Sequence, residues 1–169
     1  MKTKLITAIV ILGFFFTACK KEEKFSEIPH ISFVSFEKLV DGTGVDNQGK
    51  LTIHFQDGDG DLGLNEEDTQ APFDTSSVYY YNFFVDYYKK QNGTFVLLEQ
   101  LDNSRNARFP RLSDDLPESI EGDISVVLYI NTYDYTSVYD TLKLHCYIVD
   151  RALNKSNTIV TPEFVVKKK

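Results

Sequence analysis

The chain has 169 residues and a formal charge of −7, with 18 basic against 25 acidic side chains. That balance excludes the electrostatic footprint of a nucleic-acid or anionic-surface binder, and it suits cations, neutral ligands such as glycans, or protein partners. Two cysteines among 169 residues provide no disulfide framework, so the fold must be held by its apolar core.

The N-terminus opens with Lys2 and Lys4, followed by an apolar run from Leu5 to Phe16. That run is too short to cross a bilayer, which needs about 20 apolar residues. A basic start, a short apolar stretch and small residues before a cysteine make the pattern of a secretory signal. Its end, Phe16-Thr17-Ala18-Cys19, resembles the lipobox of bacterial lipoproteins, although Phe16 stands where leucine is usual. The resemblance implies that residues 1–18 are removed and that Cys19 becomes the acylated N-terminus, a membrane anchor. Residues 19–27 then read as the lipidated cysteine and a charged, solvated tether, KKEEKFSE from Lys20. A charge cluster directly after the anchor also resembles the surface-export tags of Bacteroidota-type lipoproteins. It implies an outer-membrane location, on the periplasmic face or the cell surface. Loss of Lys2 and Lys4 with the signal takes the charge from −7 to −9.

Residues 28–169 are one domain's worth of chain, and their pattern is all-β. The stretch 30–40 alternates and is rich in Phe, Ile and Val. In 50–56, Leu51, Ile53 and Phe55 share one face and Thr52, His54 and Gln56 the other. After an acidic, glycine-rich loop, 78–90 reads as a long aromatic strand, with a QNG turn and a partner strand after it. Its alternation predicts Tyr79, Tyr81, Phe83, Val85 and Tyr87 inward and Tyr80, Phe84 and Tyr88 outward. Pro110 limits the next segment to an edge. Strands follow in GDISVVLYINT and TLKLHCYIVD, and NTIVTPEFVV closes the domain. The expected core includes Ile53, Phe55, Val126, Leu128, Leu144, Cys146 and Ile148.

Seven to eight strands with irregular loops predict an antiparallel β-sandwich. Two stretches, Ile53 to Leu64 and YIVDRALNKSNTIVTPEF from Tyr147, resemble immunoglobulin-like domains of bacterial surface lipoproteins, with a weaker echo in RFPRL and IEGDISVVLYI. The resemblance implies that 50–56 and 141–149 are strands B and F. Cys146 would then take the core position where antibody domains place half of their inter-sheet disulfide.

Little in the chain is arranged for catalysis. The three histidines include His54 and His145, expected on opposite sheets, and no cluster has zinc spacing. No nucleophile elbow or phosphate-cradling loop appears. Cys146 has His145 beside it in sequence but on the opposite strand face, so a buried apolar role is expected of the thiol. The reading is non-catalytic. Tyr80, Phe84, Tyr88 and Tyr129 are candidate ligand-binding rings that would stack on a glycan, and Tyr133, Tyr135 and Tyr139 lie nearby in sequence. The alternative is that aromatic residues simply cover the sheet.

The loop HFQDGDGDLGLNEED carries Asp57, Asp59 and Asp61 on alternate positions with Gly58 and Gly60 between them. At about 6 Å in water each carboxylate pair repels by about 0.7 kcal/mol, more where water is excluded. A divalent cation reverses that sign, and an all-oxygen set selects Ca2+ over zinc or copper. The spacing is not that of an EF-hand: counted from Asp57, the sixth residue is Leu62 and the twelfth Asp68. A solvated acidic turn is the alternative. In an immunoglobulin-like sandwich the B–C and F–G loops share one end, so Asp68 and Asp150 join the candidate ligands. The turn carrying Asp114, Asp115 and Glu121, and the start of the first strand, are expected there too. These features predict an outer-membrane, lipid-anchored binding or assembly module, stabilised by calcium, with an unidentified protein or glycan partner. Its alternatives are a glycan-binding accessory lipoprotein that uses the exposed rings, and a hydrolase.

Overall fold

Alternating apolar residues build eight strands in the computed structural model, which describes residues 25–40, 42–99, 105–113, 117–131 and 137–168. The signal segment, Cys19, Asp114, Asp115, Tyr133 and Tyr135 lie outside the described residues. The strands are β1 (His30–Val40), β2 (Asp46–Asp57), β3 (Phe83–Gln91), β4 (Thr94–Leu97), β5 (Ile120–Tyr129), β6 (Thr141–Ile148), β7 (Ile159–Val160) and β8 (Phe164–Val165). β1, β2 and β5 form one antiparallel sheet in that order. β4, β3, β6 and β7 form the other, with β8 also paired to β6.

With β1, β2, β3, β5, β6 and β7–β8 lettered A, B, C, E, F and G, strands A, B and E lie in one layer and C, F and G in the other, the immunoglobulin-like arrangement. Strand G is broken in two at Pro162, which cannot donate to the ladder. Thr161 repairs the gap by accepting the Leu144 N–H through its hydroxyl at 3.0 Å and donating its own N–H to the Leu144 carbonyl at 2.9 Å.

The core lies between the sheets. Leu51, Ile53 and Phe55 of β2 and Ile124, Val126 and Leu128 of β5 meet Phe83, Val85 and Tyr87 of β3 and Leu144, Cys146 and Ile148 of β6. All seven expected core residues are buried. Burial pushes the Cys146 thiol far up, so it stays protonated and inert. Tyr87 carries a polar tip into this layer and satisfies it by donating its hydroxyl to the Tyr129 carbonyl at 3.1 Å.

Strand boundaries differ from the sequence reading at β2, which runs Asp46–Asp57 instead of 50–56, and most at β3. Val78–Tyr80 forms a 3-10 turn capped by the Ser77 hydroxyl, and β3 starts only at Phe83. The reason is the ladder: Phe83 pairs with Ile148, the last residue of β6, and past the Val149 N–H, which donates to the Asn82 carbonyl at 3.0 Å, β6 offers no strand to residues 78–81. Tyr79 and Tyr81 are accordingly only half-buried. Among the described residues, no helix is long and apolar enough to cross a membrane.

Candidate metal centre

Strand parity aims Asp57 inward. Residues 51, 53, 55 and 57 share one face of β2, so the carboxylate that ends the strand follows three apolar side chains into the end of the sandwich. Its residue is 0% exposed, and neither carboxylate oxygen has a hydrogen-bond partner. The Leu62 amide faces it and offsets part of its burial without forming a satisfactory hydrogen bond.

The chain then folds back over Asp57. Gly60 and Gly63 take φ of 72° and 91°, the left-handed region that side chains disfavour. A Cβ on Gly63 would also strike the backbone of Pro110 and Arg111. Leu62 and Leu64 are buried and nail the turn to the domain, with the Leu64 N–H donating to Phe109 at 3.2 Å. The start of the described chain passes the same turn, since a Cβ on Gly58 would meet the backbone of Phe25 and Ser26. The Ser119 hydroxyl, from the turn before β5, donates to the Gly58 carbonyl at 3.1 Å.

This turn brings one oxygen each from Asp57, Asp59 and Asp61 within 4.8 Å of one another. Ligands on opposite sides of a calcium-sized ion, at 2.3–2.6 Å each, lie about 4.6–5.2 Å apart. Three such oxygens therefore fit a single coordination sphere, and the cluster can hold a metal ion. Besides the two oxygens of Asp57, one oxygen of Asp59 and one of Asp61 are buried without a partner.

Asp150, two residues after β6, flanks the three carboxylates from the other sheet, close enough for its charge to act on theirs. It is buried, and it accepts from the Asn154 backbone N–H at 2.7 Å and from Nδ2 of Asn154 at 2.9 Å. Asp61 Oδ2 accepts the Ala152 N–H at 3.0 Å, which ties the two loops together. The electrostatics record the crowding. Burial first, then the charges of Asp59, Asp61 and Asp150, push Asp57 up to about 7. Burial pushes Asp150 up to about 6, against the Asn154 hydrogen bonds and with help from Asp61 and Asp59. Asp61 is raised by burial and by Asp59, opposed by the amides of Ala152 and Arg151 and by the Arg111 guanidinium.

Asp68 is not brought into this group. Its carboxylate pairs with Arg151 and caps the Asn65 N–H at 2.7 Å. The Arg151 guanidinium holds it below the usual carboxylate range, the opposite of its neighbours. Glu121 lies on β5 beside Gln56 and His54 and takes no part either.

The four candidate rings do not form one surface. Tyr129 is 54% exposed on the three-stranded sheet. Phe84 and Tyr88 lie on β3 of the other sheet, and Tyr80 sits in the 3-10 turn. Phe84 points outward as its parity requires but is only 5% exposed, because Tyr147 stacks on it at 4.8 Å. Tyr88 is stacked on His145 at 4.1 Å, and Arg108 lies 4.9 Å over Tyr80.

Two structural residues escaped the sequence reading. Asn82, 2% exposed, donates to the Phe109 carbonyl and accepts the Phe109 N–H, both at 2.8 Å, and so presses the 107–109 segment against Leu64. Arg108 donates to the carbonyls of Tyr80, Asn65 and Asp68 at 2.7, 2.7 and 3.1 Å. Asn82 belongs to no motif, and Arg108 opens the RFPRL stretch without any signal of these contacts. Only the fold reveals their partners.

Fold and site define an immunoglobulin-like β-sandwich with a partly buried carboxylate cluster at the end where its B–C and F–G loops meet. A scan of protein-family models, a search of curated proteins and a search of solved structures each found no match to the chain.

Proposed function

We propose that the protein is a lipid-anchored, non-catalytic binding or assembly module of the outer membrane, whose domain is stabilised by one calcium ion at Asp57, Asp59, Asp61 and Asp150. The observation that carries the ion is Asp57, a wholly buried carboxylate without a hydrogen-bond partner, facing two further carboxylates. An isolated buried charge of this kind is expensive unless it is paired or coordinates a metal. The donors are all oxygen, and all but Asp57 sit on loops, which favours calcium over zinc and over the stricter octahedron of magnesium.

The lipid anchor rests on the lipobox-like end of the signal segment at Cys19. The described chain begins beside Gly58, so the calcium would stiffen the end of the domain that the tether leaves. Calorimetric titration of the purified protein with calcium, magnesium and zinc tests the ion. Calcium binding that disappears in Asp59→Asn with Asp61→Asn is the expected result. No heat with millimolar calcium would leave the loop a solvated turn.

A further inference from the structure

The turn after β6 is fastened on two sides. Asp150 flanks the carboxylate cluster, and Ala152 donates its N–H to Asp61 at 3.0 Å. Between them, Arg151 points the other way. Its guanidinium pairs with Asp68 and lies 5.7 Å over the Phe73 ring.

Asp68 and Phe73 belong to the long loop 65–80, whose own turns are local: Phe73 donates to Gln70 and Ser77 to Asp74. Among the described residues, the hydrogen bonds and ion pairs that tie this loop to the rest of the domain come from two arginines, Arg108 and Arg151. Only Arg151 also adjoins the cluster. Consecutive Cα atoms are fixed about 3.8 Å apart, so whatever holds residues 150 and 152 also holds the base of the Arg151 side chain.

Without a cation, the ionised carboxylates repel in a partly dry site, which disfavours holding Asp150 beside Asp57, Asp59 and Asp61. A bound cation draws them together. An ion shifts such an equilibrium only by its preference for one arrangement, and here it prefers the closed one because only that arrangement completes its ligands.

We propose that ion occupancy of the Asp57, Asp59, Asp61 and Asp150 cluster is transmitted by Arg151 to the loop 65–80, which is ordered when the ion is bound. The inference rests on the calcium reading above. It adds that the ion governs an exposed surface beyond its own ligands, one that includes Glu66, Glu67 and Gln70.

Hydrogen–deuterium exchange on the full-length protein, with millimolar calcium and with EDTA, tests the relay alongside calorimetry. In wild type, calcium should slow exchange several-fold in 57–64, in 150–154 and in 65–77. Arg151→Ala should bind calcium as wild type does and keep the protection of 57–64, yet lose the calcium-dependent protection of 65–77. Asp68→Asn, which removes the other half of the pair, should behave alike. Calcium-dependent protection of 65–77 that persists in both variants, or is missing from wild type although the ion binds, overturns the relay and leaves the calcium site standing. Loss of calcium binding in Arg151→Ala also overturns it, because the residue would then serve the site itself. No binding by wild type overturns both.

Discussion

The backbone N–H of Ala152 donates to Oδ2 of Asp61 at 3.0 Å, joining the loop after β2 to the turn after β6 across the open end of the sandwich. The two sheets are therefore coupled at the carboxylate cluster, and an ion there should act on the stability of the whole domain. Extracellular calcium modules bind with Kd of about 10⁻⁴–10⁻³ M. At ten times such a Kd the gain is about 1.4 kcal/mol, which corresponds to a rise in Tm of a few degrees. Melts with millimolar calcium against EDTA should show that rise in wild type and none in Asp59→Asn with Asp61→Asn.

The same carboxylates set a pH dependence. In EDTA, folded Asp57 holds its proton to about pH 7 and Asp150 to about 6, against an ordinary value of 3.8 when unfolded. Between those limits the folded state binds more protons than the unfolded state, so stability falls as pH rises through the window. Below it, both states are protonated and nothing is lost. Asp57→Asn should flatten this slope. Calcium competes with the same protons, so the gap in Tm between calcium and EDTA should widen from pH 5 to pH 8. An equal gap at both values would show that the ion does not use these groups.

Core and surface positions on β6 should separate cleanly. Leu144 is fully buried, and truncating such a residue to Ala costs about 2–5 kcal/mol. Lys143 is on the outer face, 4.4 Å over the Phe95 ring, where a cation–π contact contributes about 0.5–1 kcal/mol. Denaturant unfolding of Leu144→Ala and Lys143→Ala should preserve that order.

Asn82→Ala should destabilise the domain by about 1–3 kcal/mol, the penalty of an unsatisfied buried polar group. The Phe109 carbonyl keeps the Leu64 N–H, but the Phe109 N–H loses its acceptor. Because Phe109 braces Leu64 and the acidic turn, calcium affinity should fall in the same variant, as calorimetry would show.

Cys19→Ser tests the anchor independently of the fold. The variant should leave the membrane fraction, whereas wild type should partition with it and carry acyl chains detectable by mass spectrometry. Continued membrane association of the serine variant would remove the lipobox reading.

What the sequence by itself determined is what depends on neighbours along the chain. Period-two alternation set the inward faces of β2, β5 and β6, because successive side chains on a strand must point to opposite sides. The sequence reading ended β2 at Gln56; only the extension of that strand to Asp57 lets the same rule aim its carboxylate inward. Tertiary structure decided whatever depends on residues far apart in the chain. It started β3 only at Phe83 because β6 stops at Ile148, and it buried the outward ring of Phe84 under Tyr147. It also separated two acidic residues that look alike in sequence. Asp150 flanks the cluster, where burial and like charges raise its pKa, and Asp68 is taken by Arg151, 83 residues away. Local spacing cannot distinguish these fates, because each depends on which charge another loop delivers.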